Sequence, residues 1–202
     1  MAGTKERILD ASSGLFARQG YSGTGMNQIV AEAEAALGSI YHFFPGGKEE
    51  LGQEAIRRSG AFYGELIEAA FAGAQDVARA VDEFFRGAAQ HLADTGYADA
   101  CPIATVALEV ASTNDALREA TASVFEDWIT KTAGALRDAG ITHAQARHLA
   151  TLMFCLLEGA FLLCRATRST APLDIARAHA VDAVASALSG GVDAGTLGGA
   201  AG

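Results

Sequence analysis

Gly25-Met26-Asn27-Gln28-Ile29-Val30-Ala31-Glu32-Ala33, followed after three residues by Leu37-Gly38-Ser39-Ile40-Tyr41-His42-Phe43-Phe44, is the stretch that decides the reading of this chain. Met26, Ile29, Val30 and Ala33 recur at spacings of three and four, as do Leu37, Ile40, Tyr41 and Phe44. Each segment therefore carries the single apolar stripe of a short amphipathic helix. An earlier set, Ile8, Ala11, Leu15 and Phe16, suits a third helix on the same small core. Two helices over residues 25–33 and 37–44, about three residues apart, have the spacing of a helix-turn-helix. In that arrangement the second helix enters a DNA major groove with its N-terminal residues at base edges, while the first crosses the phosphate backbone. Any small helical bundle offers a helix pair, so the spacing alone is a weak sign.

Outward from this stretch the helical rhythm continues. Only Pro45, Pro102 and Pro172 punctuate the 202 residues, and few segments alternate with period two. A long helix runs from about Lys48 through Leu51, Ala55, Phe62 and Leu66 to Gly73. Asp76 caps the next, which carries Val77, Val81, Phe84, Phe85 and Leu92. Pro102 opens a short helix ending near Thr113. Asn114 caps one that stops at Gly140, Thr142 caps one reaching about Arg168, and Pro172 opens the last, ending near Ser189. The predicted fold is all-α, with about nine helices and a Gly- and Ala-rich disordered tail over residues 190–202.

Half the chain is hydrophobic, which excludes a disordered protein, and its length supports a core without disulfide or metal staples. Three cysteines without a CxxC pair fit a reducing cytosol, and no basic segment followed by an apolar run opens the chain. A cytoplasmic location is expected. Leu149 to Cys164 is the most apolar run, but Glu158 interrupts it and it is shorter than a bilayer span, so a buried helix is expected and no membrane partner. The net charge of −9, taken alone, argues against a nucleic-acid binder. Residues 1–58 hold six cationic and seven anionic side chains, a net of −1, whereas the remainder carries −8. The acidity lies away from the helix pair.

Thr4-Lys5-Glu6-Arg7-Ile8-Leu9-Asp10-Ala11, Leu15-Phe16-Ala17-Arg18-Gln19-Gly20-Tyr21, Thr24, Ile29, Gly38-Ser39-Ile40-Tyr41-His42-Phe43-Phe44-Pro45 and Lys48-Glu49-Glu50-Leu51 closely resemble the N-terminal domain of the TetR family. Cys101-Pro102-Ile103-Ala104 with Leu108-Glu109, and Leu157-Glu158-Gly159-Ala160, resemble its LmrA/YxaF-like branch. The resemblance implies a ligand-responsive transcriptional regulator, usually a repressor, that works as a homodimer on a near-palindromic double-stranded operator. It divides the chain into a DNA-binding domain at 1–47 and a helical effector-binding and dimerisation domain at 48–189.

Carried over residue by residue, it places Thr24 at a phosphate before the first helix of the pair and Lys48 at a phosphate from the start of the fourth helix. It sets Tyr41 and His42 at the backbone, and Leu37, Gly38 and Ser39 at the bases. Tyr41 can equally be a core aromatic with an exposed hydroxyl, and His42 a solvated surface histidine. A small hydrophobic effector is expected in a cavity of the larger domain, with His91, Glu109, Trp128 and Glu158 as candidate contacts. For Glu158 a helix-to-helix hydrogen bond or ion pair is the plainer reading. Neither a cofactor nor a metal is expected.

Three positions depart from the family pattern: Glu34 replaces the usual turn glycine, Ala36 a serine cap, and Leu37 a Lys or Arg. A non-glycine residue in the left-handed region costs about 1–2 kcal/mol, and a lost cap costs about 1 kcal/mol. These departures motivate an alternative, a helical ligand-binding dimer with impaired DNA binding. An enzyme finds less support. The chain has no glycine-rich phosphate loop, no HExxH and no nucleophile elbow, and His143 and His148 stand five apart, off the i, i+4 metal face.

Overall fold

In the computed structural model residues 3–74 and 76–196 are described, the last seven as backbone path only. Among them are nine helices: α1 (Thr4–Gln19), α2 (Met26–Glu32), α3 (Leu37–Phe43), α4 (Gly47–Phe71), α5 (Val77–Asp94), α6 (Pro102–Val110), α7 (Asp115–Asp138), α8 (His143–Thr167) and α9 (Ala171–Thr196). No strand occurs among the described residues. The caps expected from sequence fall at the anticipated positions, although Thr142 at the start of α8 makes no side-chain cap bond and its hydroxyl donates to Gln145 Oε1 at 2.8 Å instead. Asp76 accepts the Arg79 amide at 3.0 Å and Asn114 the Leu117 amide at 2.9 Å, while Pro102 occupies the first turn of α6. The last helix differs: α9 runs to Thr196, because neither proline nor a capping side chain stops it at Ser189. The rest of the expected tail, 197–202, lies outside the described residues.

Two compact units result. The first joins the chain up to Tyr63 with Ala98–Glu126, so α6 and the first half of α7 belong with the N-terminal helices. Its core is Ile8, Leu15, Phe16, Ile29, Ile40, Phe44 and Leu51, all at most 4% exposed. The two short helices hold to this core by i, i+4 pairs: Ile29 with Ala33, and Ile40 with Phe44. Ile40 is the one buried residue within α3, so truncating it to alanine removes most of what anchors that helix, at about 2–5 kcal/mol. Close helix approach fixes the rest, since a Cβ at Gly60 would lie 2.4 Å from Val124 Cγ2.

The second unit comprises Gly64–Tyr97 and the described chain from Asp127 onward, with α9 packed on both α5 and α8. Trp128 stacks on Phe154 at 5.9 Å. Asp82 of α5 pairs with Arg86 and reaches across to Arg177 of α9. Helix α8 has 25 residues and is long and apolar enough to cross a membrane, so the length argument made from sequence does not hold. One face of it, with Leu149, Met153, Phe154, Leu157, Ala160 and Cys164, is buried within the unit, while Leu162 and Leu163 stay exposed.

Candidate nucleic-acid interface

The turn between α2 and α3 closes in a regular way despite lacking glycine. Glu34 sits at φ +49°, the left-handed conformation for which glycine is the usual choice. Around it the Glu34 amide donates to the Ala31 carbonyl at 3.3 Å and the Ala35 amide to the Val30 carbonyl at 2.9 Å. These are the two hydrogen bonds of a Schellman termination, so the backbone keeps the expected geometry and Glu34 bears the conformational cost. Arg7 supports the turn from α1, donating from Nε to the Ala33 carbonyl at 3.0 Å. Ala36 is the N-cap of α3 and supplies no side-chain hydrogen bond, as its methyl group dictates.

Helix α3 then turns a face outward. Leu37 is 41% and Tyr41 54% exposed, and Gly38 and His42 are exposed with them. Ser39 is half-buried. Spacing puts Leu37 and Tyr41 on the apolar stripe, but a seven-residue helix on a small core buries only its central row, here Ile40. The five recognition-helix residues thus share one short element.

The two phosphate candidates are placed differently. Thr24 is 1% exposed, and its hydroxyl donates to the Gly20 carbonyl at 2.6 Å. Gly25, not Thr24, caps α2. This inward bond speaks against a phosphate contact by that hydroxyl and makes Thr24 a brace of the α1–α2 loop. Lys48 donates to the Tyr21 carbonyl at 2.7 Å and lies over the Tyr21 ring at 4.2 Å from its centre. Burial lowers the pKa of its ammonium, opposed by the nearby Glu109 carboxylate.

Lys48 is not alone in being engaged. Lys5 pairs with Glu54 at 2.6 Å, Arg18 with Glu32 at 3.3 Å, and Arg58 with Asp10 at 2.9 Å. Arg57 meets Gln53 at 2.9 Å, and Arg7 is committed to the turn. All six cations of residues 1–58 therefore have partners within the unit.

The four effector candidates fall on four different helices, α5, α6, α7 and α8. Glu109 belongs to the first unit, where it accepts the Ser22 amide at 2.7 Å. His91 is exposed on α5, Trp128 is 3% exposed in its stack, and Glu158 is half-buried on α8. The second unit instead holds an open cavity of about 480 Å³ between the end of α4, the start of α5 and the last turns of α7. Ile67, Phe71, Val77 and Ala135 line it with Glu68 and Lys131, and none of the four candidates does. Sequence spacing does not reveal it, because the adjoining ends of α4 and α5 meet the end of α7 about sixty residues further along the chain.

A short exposed helix behind a closed turn, carried on a three-helix core, defines a helix-turn-helix DNA-binding protein. Comparison with known proteins agrees. The model for bacterial regulatory proteins of the tetR family matches residues 8–55, and that for the LmrA/YxaF-like transcriptional regulator C-terminal domain matches 77–179. The HTH-type transcriptional regulators YxaF and LmrA of Bacillus subtilis are 35% and 31% identical to the chain. Each alignment covers 84% of it, and 89% and 90% of those proteins respectively. Reduced Escherichia coli NemR superposes with a TM-score of 0.76 at 24% identity, covering 88% of this chain and 94% of that one. A TetR regulatory protein from Rhodobacter sphaeroides gives 0.79 at 24%, with 88% and 97% covered, and these two show the shared fold. The chain belongs to the TetR family of bacterial transcriptional regulators, in the branch with an LmrA/YxaF-like C-terminal domain. It is a helix-turn-helix regulator of a class whose members are typically ligand-binding repressors.

Proposed function

We propose that the protein is a cytoplasmic homodimeric repressor that holds a near-palindromic operator and releases it when a small hydrophobic effector binds. The observation that carries this reading is the outward face of α3, with Leu37, Gly38, Tyr41 and His42 exposed beside a turn of regular geometry. It favours a working DNA head over the impaired one that Glu34 and Ala36 suggested. Leu37, Gly38 and Ser39 face the bases, Leu37 against a thymine methyl, while Tyr41 and His42 reach the backbone. Lys48 reaches phosphate only by leaving Tyr21.

Dimerisation is required so that two recognition helices meet successive major grooves. Leu162 and Leu163 of α8 and Ile175 of α9 are 59%, 52% and 62% exposed, an apolar surface suited to a second copy. The effector takes the cavity beside Phe71 and Lys131, whose volume of about 480 Å³ falls in the ordinary range for ligand sites. Residues 1–47 act as the DNA-binding domain, and within 48–189 the effector and dimerisation roles fall to the second unit, since α6 and the first half of α7 pack with the N-terminal helices. The protein acts by binding and has no catalytic role. An effector displaces the operator only by preferring the form of the dimer that does not fit DNA.

Fluorescence anisotropy tests this with duplexes selected from a random pool by the purified chain. Selected sequences should show an inverted repeat bound by two chains. Unpalindromic sequences bound by one chain contradict the reading.

A further inference from the structure

Glu109 stands one residue from the end of α6, and its contacts lie 87 positions away in the sequence. Its Oε2 accepts the Ser22 amide at 2.7 Å. Its Oε1 fills the space beside Gly20, where a Cβ would lie 1.5 Å from it. Gly20 has φ +78°, which favours glycine, and a Cβ there would push the Glu109 carboxylate from its place. Lys48 holds the next carbonyl, that of Tyr21, and the Thr24 hydroxyl donates back to Gly20. Residues 20–24 are most of the link between α1 and α2, ending at Gly25, the N-cap of α2. Helix α2 buries only Ile29 among its seven residues, so its own packing fixes its position weakly.

We propose that Glu109 is a positioning residue for DNA binding: its carboxylate holds the α1–α2 loop, and through it α2, in the posture that fits the duplex. This rests on the regulator reading above. The proposal has a sign opposite to simple charge counting. Glu109 is an anion beside Lys48, and removing an anion from a DNA-binding unit strengthens its attraction to phosphates. As a holder of the loop, its removal weakens binding.

The test compares the full chain with its Glu109→Ala and Glu109→Gln variants, on a duplex that the unaltered protein has selected from a random pool. The alanine variant should bind about tenfold more weakly, the cost of one charge-assisted hydrogen bond. The glutamine variant, whose amide oxygen can still accept the Ser22 N–H, should stay within about threefold. Hydrogen exchange gives a second readout that needs no DNA. Amides of residues 20–25 should exchange about tenfold faster in the alanine variant only, with α8 and α9 unchanged. Equal or tighter DNA binding by the alanine variant overturns the proposal. So does unchanged exchange at 20–25, or a loss of protection spread over the whole chain. If the unaltered protein selects no duplex, the regulator reading fails and positioning for DNA falls with it. Exchange would then still report whether the carboxylate holds the loop.

Discussion

Arg7 of α1 donates from Nε to the carbonyl of Ala33 at 3.0 Å, so the helix that precedes the reading pair holds the turn inside it by the backbone. A second guanidinium nitrogen reaches the Glu34 carbonyl at 3.4 Å. Ala33 and Glu34 lie at the end of α2, where carbonyls lack helical partners, and a cation there also meets the negative end of the helix dipole.

Arg7→Ala should therefore cost stability and affinity together. The expected loss is about 1 kcal/mol of folding stability, read by urea denaturation, with weaker binding to the selected duplex. Arg7→Lys should recover only part of the loss, because an ammonium lacks the planar fork. Full recovery by lysine would reduce the contact to charge alone.

Glu34 separates backbone from charge. At φ +49° its replacement by glycine should stabilise the protein by about 1 kcal/mol. Glu34→Gly should also tighten DNA binding, since a carboxylate leaves the turn. Glu34→Gln removes the charge and keeps the strain, so it should tighten binding without raising the melting temperature. A melting temperature raised equally by both would refute the strain argument.

On α3, exposed and buried neighbours should behave in opposite ways. Tyr41→Ala and Leu37→Ala, at exposed positions, should weaken DNA binding with melting temperature nearly unchanged. Ile40→Ala, at 0% exposure, should lower stability by about 2–5 kcal/mol and lose DNA binding through loss of the helix. Calorimetry alongside anisotropy distinguishes the two patterns.

Acid should loosen the second unit through Asp82. Hydrogen bonds from Arg86 and then Arg177 hold its carboxyl below the usual carboxylate range. A carboxylate depressed in the folded state adds stability above its unfolded pKa, and that stability is lost as pH falls through the lowered folded value. Melting temperature should fall on acidification below the ordinary aspartate range, and Asp82→Asn should flatten that part of the profile. An unaltered profile in the variant would remove Asp82 from the account.

Much of this was legible in the sequence, and the failures share a cause. Asp76, Asn114 and Pro102 announced their helices because caps act within three residues. The helix pair was legible because Ile29–Ala33 and Ile40–Phe44 repeat at helical spacing. What escaped depends on contacts between distant segments. Spacing cannot show that Glu109 meets the Ser22 amide, 87 positions away. Nor can it show that Thr24 bonds the Gly20 carbonyl and Lys48 the Tyr21 carbonyl, bonds with which a phosphate must compete. Periodicity marked Leu37 and Tyr41 as apolar-face residues but could not say which row of a seven-residue helix reaches the core.

The same contacts occupy the positive charge of the first unit. Every cation of residues 1–58 has a partner within its unit, so DNA must compete for each one. Few counterions should be released, and the slope of log affinity against log salt should stay shallower than about −4. A slope of about −10, as for proteins with many phosphate contacts, would show that these pairs break wholesale on binding.

Reading of DNA through α3 is the step on which the proposed regulator depends. A gel shift of the purified protein against the DNA upstream of its own gene, at low salt and with Tyr41→Ala as control, tests it most directly. The expected result is a retarded complex competed by the same duplex and not by unrelated DNA, and a weaker one with the variant. No specific retardation, or equal retardation of every duplex by both proteins, would contradict it.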